Sequence, residues 1–505
     1  MCGIAGVFGL SAIPERCKDA LFTMLSTITH RGDEEHAYEY QLVSMGAIGC
    51  NRLAIVDREH GKQPLTNSQQ TLSAVLNGEI YNYRELREEL SAQGYEFHTS
   101  TDTEVLVHAY QEWGADLIEH LDGIFAFIIY DAVNASFFAA RDHMGVKPLY
   151  YLHKDGAYFI ASEMKALTKF GHNIEVLLPG HILTQRGPQE YFWLAKQPLE
   201  EDEATLVARF REALMTAVKK QVQTDLPIGV LFSGGIDSTT ILHLASLYHN
   251  DITAVTVGFE ASADAETARR FCAERGIKHH IVPLDIDALI ADLPQTIYHT
   301  ETFETINIMD SCLLAPAFKF FAQLGIKVVL CGDGSDELLA GYDFFRTYPD
   351  PHYLMTYRLE NAYRTDMQRL DRCSMRYRVE TRVPFLQRAF MNIAYNVPMS
   401  LKLRGDSEKW ILREAFKDDL PDYIIQRPKV RLPDGAGLKF QLVNFARTQN
   451  AEIDPTILEK LKLNFQEDAY FLEQYLKMGY PLPRERYKRP ELDFSAENGY
   501  FEFIT

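Results

Sequence analysis

The chain has 505 residues, of which 46% are hydrophobic and 24% charged, and its formal net charge is −19. This length predicts two or three domains with ample apolar side chains for a core. The negative charge argues against nucleic acid or an anionic membrane as the main partner, because both bind basic surfaces. Seven cysteines lack the spacing of a disulfide framework or zinc site, and no apolar run approaches the ~20 residues of a membrane helix. We therefore predict a cytoplasmic protein.

Position 2 is a cysteine, which would become the first residue once Met1 is removed. A terminal cysteine carries both a thiol nucleophile and an α-amino group that can act as its base. The segment that follows, Gly3-Ile-Ala-Gly-Val-Phe8, has the composition of a β-strand. We therefore predict that Cys2 is a catalytic nucleophile rather than one thiol among seven.

Three further segments offer groups that suit an amide substrate. Arg52, expected at the start of a strand, can pair with a substrate carboxylate. The Asn77 amide and the Gly78 N–H can form an oxyanion hole, and Asp102 can bind an ammonium group. Each segment alone has a simpler interpretation, namely a surface arginine, a hairpin turn at Asn77-Gly78 and a helix cap at Thr101-Asp102. The set as a whole favours a site that hydrolyses an amide.

Beyond an acidic linker at 197–203, strand-like and helix-like segments alternate along the chain. Strands are predicted at 226–232, 252–259, 279–284 and 327–331, and helices at 238–248, 265–275 and 311–324. Such alternation is typical of a parallel sheet covered by helices, with ligands bound at the carboxyl ends of the strands.

The first of these strands leads into Ser233-Gly-Gly-Ile-Asp-Ser238. Glycines let a phosphate approach the backbone, and the following helix directs free N–H groups and its positive dipole end towards an anion. The serines can donate hydrogen bonds, and Asp237 can hold a divalent cation. The segment is not a Walker A motif; it resembles the pyrophosphatase loop of enzymes that adenylate a substrate. An ordinary βα turn is the alternative.

A second acidic segment, Cys331-Gly-Asp-Gly-Ser-Asp-Glu337, follows the strand at 327–331. Its carboxylates cannot all be core residues, because buried unpaired charges are too costly. A site for Mg²⁺ and pyrophosphate explains them, and a solvated turn is the alternative.

Residues 1 to about 195 resemble the glutaminase domain of class II glutamine amidotransferases. The matching segments are Met1-Cys-Gly-Ile4, Asn77-Gly-Glu-Ile-Tyr-Asn82, Phe125-Ala-Phe127, Arg141-Asp-His-Met-Gly-Val-Lys-Pro-Leu-Tyr150 and Ala161-Ser-Glu-Met-Lys165. With the pyrophosphatase-type loop, the whole chain resembles the glutamine-hydrolysing asparagine synthetase family. The resemblance implies an Ntn-hydrolase αββα sandwich at 1–195. It also implies that residues 196–505 form an α/β ATP-pyrophosphatase domain with a parallel sheet, of the type called adenine nucleotide alpha hydrolase-like.

The resemblance also implies roles for individual residues. Cys2 would attack the glutamine amide, with the oxyanion held by Asn77 and Gly78. Glutamine would be bound by Arg52, Glu79 and Asp102. ATP would be bound by Leu231, Ser233, Gly234, Gly235, Asp237, Ser238, Val257, Cys331 and Gly332. Mg²⁺ would be held by Asp237 and Asp336. Asp333, where the family usually has glutamate, would act as acid or base, and Lys429 would stabilise the adenylation transition state.

Four segments depart from the family pattern. Arg31-Gly-Asp-Glu34 lacks the family's proline, Cys50 stands in place of a histidine, and Gln387 in place of an aspartate. By our alignment Met309 replaces an arginine implicated in acceptor binding, and a thioether cannot pair with a carboxylate. Either another cation, Arg376 or Arg431, takes that role, or the acceptor lacks an α-carboxylate.

The sequence thus predicts a ligase that forms a C–N bond with glutamine as amido donor and uses ATP and Mg²⁺. Its acceptor is a carboxylic acid, with aspartate as the leading single candidate. Alternatives are a paralogue that amidates another acid, a β-lactam synthetase or peptide-cyclising relative, an amidotransferase that makes an amino sugar or phosphoribosylamine, and a non-catalytic regulatory homologue. Neither nucleic acid nor a membrane is expected as a partner. A homodimer is one arrangement that the sequence leaves open.

Overall fold

The computed structural model describes residues 2–9, 14–33, 38–259, 262–428, 439–461, 463 and 466–483. Over these residues the chain divides into two units, described separately below. The first consists of Met1–Trp193 with Met375–Glu380, and the second of Leu194–Ser374 with Thr381–Thr505.

The first unit is built on two six-stranded sheets, and every strand pair described in them is antiparallel. Its strands are β1 (Gly3–Phe8), β2 (Glu39–Val43), β3 (Gly46–Asn51), β4 (Leu65–Thr66), β5 (Leu72–Ile80), β6 (Gly123–Asp131), β7 (Ser136–Arg141), β8 (Tyr150–Lys154), β9 (Ala157–Ala161), β10 (Glu175–Val176), β11 (His181–Thr184) and β12 (Gly187–Glu190). Its helices are α1 (Pro14–Thr27), α2 (Tyr83–Ala92), α3 (Asp102–Trp113) and α4 (Leu117–His120). The strand orders are β10-β8-β9-β1-β3-β2 and β12-β11-β7-β6-β5-β4.

Strand β1 shows why these sheets stack in four layers. All six of its residues are buried, and alternate side chains of a strand point to opposite faces. Ile4 and Phe8 pack in an apolar layer shared with the second sheet, whereas Ala5 and Val7 pack against α1. The outer face of the second sheet is covered by α2 and α3. The αββα sandwich predicted for this half is confirmed.

The second unit contains a five-stranded sheet in the order β15-β14-β13-β16-β17, and its first four strands pair in parallel. The strands are β13 (Ile228–Leu231), β14 (Ile252–Val257), β15 (Lys278–Val282), β16 (Val328–Leu330) and β17 (Glu380–Arg382). The first helices are α5 (Glu203–Gln221), α6 (Ile236–Tyr248), α7 (Ala263–Arg275), α8 (Ile286–Thr300), α9 (Thr305–Gln323), α10 (Ser335–Leu338), α11 (Phe344–Thr347) and α12 (Pro351–Asn361). The others described are α13 (Asp366–Met375), α14 (Arg388–Asn396), α15 (Met399–Lys402), α16 (Trp410–Ala415), α17 (Asp422–Ile425), α18 (Lys439–Arg447), α19 (Pro455–Lys460) and α20 (Gln466–Lys477).

The predicted alternation of strands and helices, and with it the parallel α/β sheet, is confirmed. Each predicted element is present with ends shifted by a few residues. The largest shift is in α9, which begins at Thr305 rather than at Ser311. Strands β13 and β16 both end directly before the two segments predicted to bind phosphate and metal. The parallel register of these neighbouring strands therefore brings the two segments to one edge of the sheet.

One local prediction in the first unit is wrong, and one of the simpler alternatives does not hold. Arg52 does not start a strand, because β3 ends at Asn51 and Arg52 is the first residue of the following loop. The hairpin turn considered at Asn77-Gly78 does not form either, because both residues lie inside β5 and pair with Ala126 and Phe125 of β6.

Among the described residues, no helix combines the length and apolarity that a membrane crossing requires. All seven cysteines lie in the described part of the chain, and none forms a disulfide.

Gly229 in β13 allows the sheet to pack closely against α9. A Cβ atom at this position would lie 2.5 Å from Cε1 of Phe321 and 2.9 Å from Cγ2 of Val329. We expect Gly229→Ala to lower the free energy of unfolding by about 1–3 kcal/mol through overpacking. Denaturant unfolding measures this loss, and Phe321→Leu in the same chain should recover part of it. A Gly229→Ala variant as stable as the wild type would contradict the packing argument.

Candidate active sites

Cys2 lies directly before β1 and is almost fully buried, with 4% of its surface exposed. Its backbone nitrogen donates a hydrogen bond to Oδ1 of Asn77 at 3.2 Å, and its carbonyl oxygen accepts one from Nε of Arg31 at 3.1 Å. Nε2 of Gln63 lies 3.9 Å from the Cys2 sulfur. The thiol is thus held beside β5 by contacts from three separate segments.

A small pocket opens beside this thiol. Its lining includes five of the residues predicted for glutamine hydrolysis, which are Cys2, Arg52, Gly78, Glu79 and Asp102. Gln63 and Thr103 also line it. These residues come from the start of the chain, the loop after β3, strand β5 and the start of α3. The sequence alone could not show that they surround one cavity.

Asn77 and Gly78 are fixed by their place inside β5. Nδ2 of Asn77 is buried and makes no hydrogen bond within the described part of the chain, so it is a donor available to a ligand. Gly78 has φ of +135°, and a Cβ atom there would lie 2.0 Å from the Ile124 carbonyl oxygen. Only glycine fits such a position. Their arrangement is compatible with an oxyanion hole.

Two of the three charged residues at the pocket, Arg52 and Asp102, have different environments. The Arg52 guanidinium donates hydrogen bonds to the carbonyl oxygens of Val56 at 3.2 Å and Asp57 at 2.7 Å, and thereby holds the loop that follows β3. Asp102 accepts a hydrogen bond from the Ile80 nitrogen at 3.0 Å. Burial raises the pKa of Asp102. The predicted helix start is confirmed, since Thr101 is the N-cap of α3.

The Cys2 thiol is easier to ionise than an ordinary cysteine. Hydrogen bonding with the Cys50 thiol lowers the pKa of Cys2 to about 7, against the opposing effect of burial. Arg52 acts in the same direction as Cys50. Because a thiolate is the reactive form of cysteine, the site contains a nucleophile near neutral pH.

Sequence reasoning missed a buried charged cluster behind Cys2. The Arg31 guanidinium is fully buried and pairs with Oε1 of Glu163 at 2.7 Å, while Nη2 of Arg31 lies 3.5 Å from Oδ1 of Asn77. Lys165 and His30 also contact Glu163. Glu163 and Lys165 lie in the matching segment at 161–165, which was the available signal, whereas Arg31 begins a segment that departs from the family pattern.

In the second unit, the loop between β13 and α6 has the shape expected of a phosphate loop. Oγ of Ser233 and Oγ of Ser238 lie 3.1 Å apart, and the Ser233 nitrogen donates to Oγ of Ser238 at 3.2 Å. Gly234 has φ of +70°, and its carbonyl oxygen accepts a hydrogen bond from Nη1 of Arg427 at 2.8 Å. Gly235 is the N-cap of α6. Free N–H groups of this helix end can therefore face an anion.

A cavity of about 160 Å³ lies at the carboxyl ends of β13, β14 and β16. The predicted residues that line it are Leu231, Ser233, Asp237, Ser238, Val257, Gly332, Asp333 and Asp336. Gly234, Gly235 and Cys331 are not part of its lining; Cys331 is fully buried just before Gly332.

Asp237 and Asp336 converge on one buried lysine that the sequence interpretation gave no role. Nζ of Lys409 lies 2.5 Å from Oδ2 of Asp237 and 2.6 Å from Oδ1 of Asp336. Oδ1 of Asp237 also accepts a hydrogen bond from Ser335 at 2.6 Å. Among the described residues, no cluster of three or more histidine, cysteine, aspartate or glutamate side chains could hold a metal. Two carboxylates that meet at a cation still suit Mg²⁺ with phosphate oxygens as further ligands.

Asp333 also lines the cavity, with Oδ1 3.2 Å from Nη2 of Arg369. Burial raises the pKa of Asp333 to about 6, although Arg369 opposes the shift. The nearby carboxylates of Asp366, Glu337 and Asp310 raise it further. A carboxyl group with such a pKa can change protonation near neutral pH, as an acid or base must.

Two of the residues that depart from the family pattern lie in the second unit, namely Met309 in α9 and Gln387 directly before α14. Met309 is buried and does not line the cavity, whereas its neighbour Asp310 does, 3.4 Å from Nη1 of Arg369. Of the arginines in the described part of the chain, Arg369 and Arg358 line the cavity and Arg376 does not. Gln387 caps α14 by accepting a hydrogen bond from the Phe390 nitrogen. Lys429 and Arg431 lie outside the described residues.

Comparisons with known proteins match both units. The model of the glutamine amidotransferase domain family matches residues 1–224, and that of the asparagine synthase family matches 209–350 and 345–489. Glutamine-hydrolysing asparagine synthetase 2 of Arabidopsis thaliana is 32% identical over 517 residues, covering 95% of this chain and 88% of that protein. The glutamine-hydrolysing asparagine synthetase of Sandersonia aurantiaca is 33% identical over 462 residues, covering 86% of this chain and 87% of that protein.

A solved structure of glutamine phosphoribosylpyrophosphate amidotransferase from B. subtilis is 20% identical and covers 56% of this chain and 66% of that one. Its TM-score of 0.31 is too low to support an argument. The sequence relatives decide the assignment, because each is more than 30% identical over most of both chains. The chain belongs to the glutamine-hydrolysing asparagine synthetase family.

Proposed function

We propose that this protein is a glutamine- and ATP-dependent amide synthetase, a ligase that forms C–N bonds. Glutamine hydrolysis at Cys2 supplies ammonia, and the ammonia displaces AMP from an acyl-adenylate formed in the second unit. The single observation that supports this most is the pocket beside Cys2, where an ionisable thiol, the Gly78 backbone, an arginine and two carboxylates meet, although Asn77 is not part of its lining. In this proposal the glutaminase domain comprises residues 1–195 and the synthetase domain 196–505.

In the first half-reaction, the Cys2 thiolate attacks the side-chain amide carbon of glutamine and forms a thioester. The α-amino group of the terminal Cys2, which takes up the thiol proton, returns it to the nitrogen that leaves as ammonia. Nδ2 of Asn77 and the Gly78 N–H stabilise the oxyanion of the tetrahedral intermediate. Arg52 binds the α-carboxylate of glutamine, and Glu79 and Asp102 bind its ammonium group. Water then releases glutamate from the thioester.

In the second half-reaction, an acceptor carboxylate attacks the α-phosphate of ATP, and pyrophosphate leaves. The loop from Ser233 to Ser238 binds the phosphates, and Leu231 and Val257 contact the nucleotide. Mg²⁺, held by Asp237 and Asp336, would neutralise phosphate charge. Asp333 acts as acid or base, and Lys429 stabilises the charge that develops on the α-phosphate.

Aspartate is the leading single acceptor candidate, because the relatives named above are asparagine synthetases. Conversion of aspartate would place the protein in asparagine biosynthesis. A second candidate, amidation of a different carboxylic acid, is favoured by α9. Asp310, the one charged residue among those of α9 that line the cavity in the described part of the chain, is a carboxylate, and Met309 beside it has no charge. The residues proposed for catalysis make a non-catalytic homologue the weaker alternative. A cytoplasmic location and a homodimer stay predictions.

The two-site scheme is tested by Cys2→Ala. We expect loss of glutamate formation and of glutamine-dependent amide synthesis, because no other residue in the pocket can form the thioester. Synthesis from ammonium chloride should stay at the wild-type rate, measured as pyrophosphate release across a set of carboxylic acids that begins with aspartate. A folded Cys2→Ala variant that hydrolyses glutamine normally would contradict the scheme.

The metal-binding proposal is tested by Asp237→Asn and Asp336→Asn. Each removes a charge without much change in size, so pyrophosphate release should fall at least about 10²-fold while glutamine hydrolysis continues. Asp251→Asn, at an exposed aspartate before β14, is the matched control and should behave as the wild type. Unchanged ATP turnover in either site variant would remove that residue from the proposed site.

The Asp333 proposal predicts a pH dependence. Because the raised pKa is about 6, Asp333 is protonated below that pH and ionised above it. Ammonium-dependent synthesis, measured at constant free ammonia, should therefore rise with a midpoint near pH 6. Asp333→Asn should abolish this rise, and Asp333→Glu should restore it. A wild-type rate with no change from pH 5 to 7 would exclude this role.

A further inference from the structure

Gln63 faces the proposed nucleophile from the wall of the small pocket. It lies directly before the loop into β4, 61 residues from Cys2 along the chain, and only 6% of its surface is exposed. Its Nε2 is 3.9 Å from the Cys2 sulfur, and both residues line the pocket. The two half-reactions described above give this buried amide no role.

The orientation of the Gln63 amide follows from its other contacts. The Leu76 backbone nitrogen can only donate, so the amide atom 2.7 Å from it is the oxygen, Oε1. Nε2 uses one N–H group to donate to Oγ1 of Thr103 at 3.1 Å. The second N–H group is the one that faces the Cys2 sulfur. The amide therefore presents a donor, and not an acceptor, to the thiol.

The backbone of Gln63 is held as well. Its nitrogen donates a hydrogen bond to Oε2 of Glu39 in β2 at 2.7 Å, and its carbonyl oxygen lies 3.9 Å from the sulfur of Cys50 in β3. Contacts from β2, β3, β5 and the first turn of α3 thus keep the residue in place. A donor fixed in this way needs no reorganisation when charge develops on the sulfur.

The contact between Nε2 and sulfur gains strength when Cys2 ionises. A neutral thiol is a weak acceptor, so a donor 3.9 Å away contributes little to it. A thiolate carries a full negative charge, and the same N–H group can then close to a charge-assisted hydrogen bond. Gln63 therefore favours the reactive form of Cys2 over the neutral one.

Other titratable or charged groups also surround Cys2. They are its own α-amino group once Met1 is removed, Arg31 at its carbonyl oxygen, Cys50 of β3, Arg52, Glu79 of β5 and Asp102 of α3, with Glu39 of β2 on the far side of Cys50. A substitution at Gln63 changes none of these groups. A difference between Gln63 variants therefore reports on the Gln63 side chain.

We propose that Gln63 is a positioning residue for glutamine hydrolysis. Its Nε2 donates a hydrogen bond to the Cys2 thiolate, stabilises it and holds the sulfur towards the pocket. The proposal rests on the function proposed above, in which Cys2 is the nucleophile.

The test compares the full-length wild type with Gln63→Met and Gln63→Glu. Methionine removes the donor without adding charge, whereas glutamate keeps an oxygen for the Leu76 nitrogen and places a second carboxylate oxygen opposite the sulfur. Iodoacetamide labelling of Cys2 is followed against pH by mass spectrometry of the N-terminal peptide. We expect the labelling midpoint to rise by about one pH unit in Gln63→Met and by more in Gln63→Glu.

The same variants should lose glutamine hydrolysis in proportion. A rise of about one unit lowers the thiolate fraction up to about tenfold at pH values below the midpoint, so kcat/KM should fall with it and recover towards pH 9. Gln69→Glu is the matched control, because Gln69 is an exposed glutamine of the same unit, between β4 and β5. It should leave the midpoint and kcat/KM unchanged, and ammonium-dependent synthesis should be normal in all variants.

Two outcomes would overturn the proposal. If Gln63 only supported β5, Gln63→Glu, which keeps the contact to Leu76, would match the wild type and Gln63→Met would be the more impaired variant. If Gln63 only bound the substrate, KM for glutamine would rise while the labelling midpoint stayed unchanged. Labelling is measured on the thiol itself and needs no activity. Failure of the parent function would therefore be seen separately, as normal glutamine hydrolysis by Cys2→Ala.

Discussion

The buried ammonium of Lys409 is the interaction on which the nucleotide-binding edge of the second unit depends. Its side chain is fully buried, and an isolated charge in such a place would be strongly unfavourable. Asp237 at the start of α6 and Asp336 in α10 both bind it, so one cation connects three segments of the chain. Gly341 is required beside them, because a Cβ atom there would lie 2.1 Å from Oδ1 of Asp336. Two carboxylates and one ammonium leave a net negative charge at this edge of the sheet.

The first unit also contains a buried cation that connects separate segments of the chain. Arg31 is neutralised by Glu163 and directs its remaining donors to the Cys2 carbonyl and the Asn77 side chain. Oδ1 of Asn77 is therefore occupied by the Cys2 nitrogen and Arg31, and Nδ2 is left as the group that can meet a substrate. An ion pair far from solvent thus orients the amide, because leaving either charge unpaired there would cost several kcal/mol.

Charge compensation also limits what the synthetase cavity can bind. Arg369 already contacts Asp310, Asp333 and Asp366, and Arg358 pairs with Glu337 at 2.9 Å. A second carboxylate on an acceptor would have to compete with these protein carboxylates for the same guanidinium groups. An arginine in the lining is therefore not enough to predict that this cavity pairs with an acceptor carboxylate, because these guanidinium groups already have carboxylate partners.

The sequence by itself determined the alternation of strands and helices in the second unit and the kinds of chemical group at the two candidate sites. The glycines after an apolar strand and the cysteine at position 2 indicate their chemical roles without any information from distant residues. The sequence alone could not place Asn77 and Gly78 inside β5, because the pairing with β6 depends on residues about 50 positions away along the chain. Only the tertiary structure brought Lys409 to Asp237, 172 residues distant, and Cys50 beside Cys2. Such contacts depend on strand register and on the pairing of buried charges, which no local pattern encodes.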